Sequence, residues 1–112
     1  MTARVYIAGP MTGLPEFNYP AFHAAENELR RAGYHPINPA RAEGREHCVS
    51  WLDYMRASLL DIAVCDGIAT LNGWASSSGA VVETTLVKGL GLPVRPLRHW
   101  LMNRPAVQEA RP

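Results

Sequence analysis

Glu83 is the residue whose surroundings most call for a chemical explanation. After Ser78, residues Val82, Leu86, Val87 and Leu90 repeat at helical spacing, and Glu83 falls inside that apolar stripe. A carboxylate on a core-facing side is costly unless it is paired or opens to a cavity. Its place near the helix start sets it at the loop end of a sheet. The bland alternative is a tilted helix, with Glu83 solvated at the edge of the stripe or bonded to a nearby loop. Just ahead lies Ser76-Ser77-Ser78-Gly79, where free N–H groups, hydroxyls and the positive end of a helix dipole can meet an anion. Ser77 or Ser78 must in any case cap that helix, and a ligand role would be an addition to capping. Gly9-Pro10-Met11-Thr12-Gly13 permits close backbone approach. It holds no lysine or arginine, so as a phosphate cradle it would rely on N–H groups and Thr12.

The elements that position these residues follow from periodicity and punctuation. Val5 to Ala8 is a β-prone run entering the first glycine loop. Pro20 suits the first turn of a helix whose stripe is Phe22, Ala25, Leu29 and Ala32, with Gly33 as its stop. Tyr34 to Ile37 reads as a second strand, ended by Asn38-Pro39. Residues 40–49 carry mixed charge without period and read as a loop. Ser50 opens the next helix with Asp53 as capping-box partner, and Leu52, Met55, Leu59 and Ile62 are its expected buried stripe. Ile68 to Leu71 is a third strand, leading into the second special loop, Gly73 to Gly79. The helix after Ser78 runs to about Lys88, and Leu92 to Val94 is a fourth strand. Trp100 and Leu101 imply that the tail packs. Strands alternating with helices predict right-handed crossovers and a parallel sheet covered on both faces. Ligands of such sheets bind beyond the carboxyl ends of the strands, where strand order reverses. The two glycine loops should sit there side by side.

Composition narrows the classes. The 112 residues fit one domain, with a core over about residues 3–96 and a tail over 97–112. Apolar residues make up 47%, and 11 basic against 10 acidic residues give a formal charge of +1. That balance points to no nucleic acid polymer and no membrane surface. No apolar run approaches the ~18 residues of a membrane span. Met1-Thr2-Ala3-Arg4 has no signal-peptide character, so a cytoplasmic protein is expected. Cys48 and Cys65 read as free thiols. His23, His35, His47 and His99 share no ligand spacing, so no metal is expected.

Read in order, Tyr6-Ile7-Ala8-Gly9-Pro10-Met11-Thr12-Gly13, Asn38-Pro39, Cys65-Asp66, Gly73-Trp74 and Ser78-Gly79-Ala80 with Glu83 resemble the nucleoside 2-deoxyribosyltransferase superfamily, in a compact branch common in phages and prophages and largely known as a domain of unknown function. The resemblance covers the chain to about Val94. It implies a three-layer, Rossmann/flavodoxin-like α/β sandwich with a small four- to five-stranded, mostly parallel sheet. It also implies action on nucleosides or nucleoside 5′-monophosphates by base exchange or hydrolysis, without a cofactor. Glu83 then resembles the nucleophile that attacks the anomeric carbon, and Tyr6 a tyrosine lining the sugar site. A carboxylate suits this chemistry because N-glycosidic cleavage develops oxocarbenium character. Ser77 stands where a monophosphate-hydrolysing relative has a phosphate-binding serine and base-exchanging relatives have aspartate. It favours a 5′-monophosphate, whereas the lack of a basic residue in the first loop opposes one.

One position departs from the pattern. Relatives carry an aspartate that contacts or protonates the leaving base where this chain has Ser58. Asp61, one turn along the same helix edge, can substitute or can be plain surface. Trp74 can stack on a base or simply pack. Arg41 and Arg45 are the nearest cations for a phosphate, if they are not merely part of a solvated loop. Since sites in this superfamily are often completed by a neighbouring subunit, the resemblance also implies a homo-oligomer. Trp51, Tyr54 and Trp74 are candidate anchors for its interface. A nucleotide-binding module without turnover and a scaffold for a protein partner are the competing expectations.

Overall fold

The computed structural model describes residues 2–104; the expected tail beyond them lies outside the described residues. Strands β1 (Arg4–Ala8), β2 (His35–Ile37), β3 (Gly67–Thr70) and β4 (Val94–Pro96) alternate with helices α1 (Tyr19–Arg31), α2 (Trp51–Ile62), α3 (Ser78–Gly89) and α4 (Leu97–Met102). The four strands form one all-parallel sheet in the order β2-β1-β3-β4. Strand order reverses between β1 and β3, where Tyr6 lies opposite Ile68.

The two-residue period of β1 splits the core in two. Val5 and Ile7 join Phe22, Ala25 and Leu29 of α1, with Leu97, Trp100 and Leu101 of α4 packed against them. Tyr6 and Ala8 face the other way, toward Ile62 of α2 and Ala80 and Val87 of α3. The result is an α/β sandwich of three layers. Every residue of β3 is buried, as expected of a central parallel strand.

Local chemistry sets the helix ends. Ser50 Oγ accepts from Asp53 N at 3.0 Å, and the Asp53 carboxylate accepts from Ser50 N at 3.2 Å, completing the expected capping box. Such a cap stabilises a helix by about 1 kcal/mol. At the far edge, Trp100 Nε1 donates to Ile68 O at 2.9 Å, and its ring meets Tyr34 edge-on at 5.5 Å. Gly67 makes this docking possible, since a Cβ there would lie 2.7 Å from the Trp100 ring.

Two helix faces and several strand ends differ from expectation. On α3 the buried line is Ala80, Glu83, Thr84 and Val87, while Val82, Leu86 and Leu90 are 42, 40 and 58% exposed. Small Ala80 and Thr84 let α3 settle closely on the sheet, which turns the bulky aliphatics outward. On α2 the buried line is Met55, Ser58 and Ile62, with Leu52 and Leu59 partly exposed. Strand β4 begins two residues later than Leu92, β3 starts at Gly67 rather than Ile68, and β2 at His35 rather than Tyr34. Tyr34 instead closes the helix end, its N–H donating to Leu29 O at 3.0 Å.

Candidate active site

The two glycine loops meet at the carboxyl end of the sheet. Leu71 N donates to Ala8 O at 2.9 Å, and a Cβ on Gly73 would touch Pro10 Cγ at 3.4 Å. Gly9 has no room for a side chain, because a Cβ would fall 2.9 Å from Leu71 Cβ. Beyond it, Glu16, Phe17 and Asn18 have positive φ values of 53°, 53° and 61°. Left-handed non-glycine residues cost about 1–3 kcal/mol each and persist only when their surroundings hold them. Asn18 Nδ2 contributes to that hold by donating to Pro10 O at 3.0 Å.

Glu83 faces inward from α3 and is 7% exposed. The fully buried Tyr6 donates its phenolic O–H to Glu83 Oε2 at 2.6 Å. Burial pushes the Glu83 carboxyl up to about 7. Hydrogen bonds from Tyr6 and Ser58 and the charge of Arg45 oppose that rise, and the negative charge of Asp61 adds to it. The Tyr6 phenol is held well above its ordinary range, first by burial and then by the neighbouring carboxylate. A buried acid poised near neutrality beside a charged network is an arrangement common at functional sites.

Ser58 is buried and turned toward this pair. Arg45, from the loop between β2 and α2, reaches over it: Nη2 lies 3.4 Å from Ser58 Oγ and donates to Asp61 Oδ2 at 2.8 Å. The Arg45 side chain is 9% exposed and that of Asp61 33%. Asp61 therefore sits at the edge of the site with its carboxylate engaged by the Arg45 guanidinium. Two solvent-open hollows, of about 360 and 450 Å³, share Arg45 and Asp61 as lining, with Glu83 lining neither. The Glu83–Tyr6 pair, with Ser58 and Arg45 beside it, is the candidate chemical centre. Arg45 lines both hollows and also contacts Ser58, which links them to it.

Other expected site residues are placed less centrally. Ser77 caps α3, its Oγ accepting from Ala80 N at 3.3 Å, and Ser78 and Gly79 open the helix. A Cβ on Gly79 would touch Met55 Sδ at 3.4 Å, so Gly79 lies against α2, while Ser78 is exposed. Met11 packs against the α1-side core, on the opposite sheet face from Glu83, while Thr12 and Gly13 are exposed. Trp74 packs against the Glu83-side core, with Lys88 Nζ 5.7 Å from its ring centroid. Among the described residues, no three side chains of His, Cys, Asp or Glu converge as metal ligands, and no helix is long and apolar enough to cross a membrane.

The two arginines that the sequence offered as cations or as a solvated loop part company. Arg45 is a largely enclosed member of the site rather than a solvated loop cation. Arg41 is engaged elsewhere: its Nε donates to both oxygens of the buried Glu26, at 3.0 and 3.1 Å, and its Nη2 contacts Oε2 as well. Asn38 Nδ2 donates to the same carboxylate at 2.9 Å, and Arg30 approaches it to 3.0 Å. These donors hold the Glu26 carboxyl down at about 2, with the Arg41 hydrogen bond the largest cause. The one legible signal was Asn38-Pro39, a strand-ending turn leading straight into the loop that carries both arginines.

Fold and site together define a small doubly wound α/β protein with a buried glutamate–tyrosine pair at its switch point. The chain belongs to the family described as "Domain of unknown function (DUF4406)", whose model matches residues 3–95. A search of curated proteins found no match.

Proposed function

We propose that this protein cleaves or exchanges the N-glycosidic bond of (deoxy)nucleosides or their 5′-monophosphates, with Glu83 as nucleophile. The observation that carries this reading is the buried Glu83 carboxyl, hydrogen-bonded by Tyr6 at 2.6 Å and flanked by Ser58 and Arg45. The superfamily resemblance of the motifs around these residues supports it. In this mechanism the ionised carboxylate attacks C1′, the C1′–N bond breaks, and a glycosyl ester forms. Water or an acceptor base then attacks C1′ and frees Glu83. Tyr6 fixes the attacking oxygen's orientation through its single donor. The start of α3 favours an anionic group, which suits a 5′-phosphate. A second copy of the chain would cover the outward aliphatics of α2 and α3, making a homo-oligomer part of the same reading.

A second reading, nucleotide binding without turnover, is favoured by one feature: Ser58 stands beside Glu83 where an acid would be needed, and the nearby Asp61 is engaged by Arg45. Incubation with a panel of nucleosides and 5′-monophosphates, followed by chromatography for free or exchanged base, separates the two. Base release or exchange that requires Glu83 supports the enzyme. Saturable binding with no product over prolonged incubation would leave only the binding module.

A further inference from the structure

Resting on Glu83 as nucleophile, we propose that the departing base occupies the hollow between β2 and α2, and that Arg45 is the electrophile that stabilises it as an anion. The hollow of about 450 Å³ is lined by Ile37, Asn38, Arg41, Arg45 and Asp61, among others. Its size lies in the range of small-molecule sites, roughly 300–1,000 Å³. Arg45 is the lining residue that also reaches inward, to the Ser58 hydroxyl beside Glu83. One guanidinium thus faces both the hollow and the nucleophile. Asp61 fixes it at 2.8 Å, and the planar fork keeps further donors in a set direction.

The chemistry explains why a serine is sufficient at position 58. When the Glu83 oxygen bonds to C1′, the C1′–N electron pair leaves with the base. A serine hydroxyl is too weak an acid to protonate it, and Asp61 is held as an acceptor. The base therefore departs as an anion against the guanidinium and takes its proton from water afterwards. Water then adds to C1′, releasing the Glu83 carboxylate and the free sugar. Removing one preorganised donor from a developing anion costs about 10²–10³-fold in rate.

The test compares leaving groups that need this help with ones that do not. Whichever base the protein releases is paired with a counterpart that leaves more readily: a 7-methylpurine, which departs neutral, or a 5-fluoropyrimidine, which departs as a weaker base. Rates of the wild type, Arg45→Gln and Arg45→Lys are taken on the high-pH plateau, where Glu83 is ionised in all three. Should Arg45→Gln fail to fold, Arg45→Lys alone supports the comparison, since it removes the fork and keeps the charge. The expected result is a loss of about 10²-fold on the ordinary base for Arg45→Gln, a smaller loss for Arg45→Lys, and little change for either on the activated counterpart. Equal slowing on both substrates would overturn the electrophile role while leaving Glu83 as nucleophile. Absence of base release by the wild type on every substrate would overturn the nucleophile reading and this inference with it.

Discussion

Glu83 ties the stability of the fold to pH and, in the proposed mechanism, ties turnover to pH in the opposite direction. Its carboxyl titrates near 7 in the folded chain against an ordinary 4.5. A group raised in this way contributes stability that is fully present below about pH 4.5 and is lost as pH rises through about 7. The shift corresponds to on the order of 3 kcal/mol. Glu83→Gln keeps a hydrogen-bonding group beside Tyr6 and cannot ionise. Its melting temperature relative to wild type should therefore rise between pH 4.5 and 7 and level off above that range. A difference independent of pH, seen by thermal melts across the series, would mean that Glu83 is not buried as an acid. The proposed mechanism needs the ionised form, so base release should climb through about pH 7, and Glu83→Gln should lower it by roughly 10³-fold or more. A fully active Glu83→Gln protein would end the nucleophile assignment. The sequence revealed Glu83 because a charge interrupts a run of aliphatics. It offered Arg45 only as a loop cation, because the covering of that side chain depends on a loop without period and on a partner, Asp61, in the following helix.

At the scale of elements, end signals were legible and faces were not. Ser50 with Asp53 and Ser77 with Ala80 form the caps that their residue types implied. Helix α3 is apolar on several sides, so periodicity alone could not decide whether Val82 or Ala80 faced the sheet. The loop between β2 and α2 read as unstructured, yet Glu26 of α1 anchors it through Asn38 and Arg41. This anchor positions the segment that delivers Arg45. Because the Glu26 carboxyl lies at about 2, its contribution is present above about pH 4.5 and is lost as pH falls toward 2. Glu26→Gln should destabilise the protein by about 1–3 kcal/mol at neutral pH, as expected for a broken buried charged contact. It should also flatten the acid limb of the stability profile and speed amide exchange across residues 38–49. Unchanged exchange in that segment would show that the loop is held by other contacts. The start of α3 makes its own prediction. Ser77→Asp would keep the cap but place a negative charge beside any phosphate. It should weaken 5′-monophosphate binding far more than nucleoside binding, measured by titration calorimetry. An equal effect on both ligands would leave Ser77 as a cap and nothing more.

For the whole molecule, alternation of strands and helices predicted the parallel sheet. The expected reversal of strand order put the two glycine loops side by side, and the pairing of β1 with β3 and the Pro10–Gly73 contact realise it. What the chain alone does not explain is its outer surface on the Glu83 side. Of the residues in α3, only Glu83 and Lys88 are charged, and Glu83 is buried. A helix face in lasting contact with water ordinarily carries more charge than this. Val82 and Leu86 of α3 and Leu90 at its C-cap stand open there, as do Trp51, Leu52 and Leu59 of α2. Trp51 and Tyr54 remain available as interface anchors, whereas Trp74 is already engaged by Lys88. A stable interface needs roughly 800 Å² from each partner, about the footprint of two short helices. The protein should therefore run as a dimer or larger assembly in light scattering at micromolar concentration. Leu86→Glu combined with Leu59→Glu should shift it to monomer while preserving the far-ultraviolet dichroism, because the two side chains are 40 and 37% exposed and neither belongs to the buried line of its helix. A wild-type mass equal to one chain would refute the assembly. An unchanged assembly in the double variant would move its interface to another face.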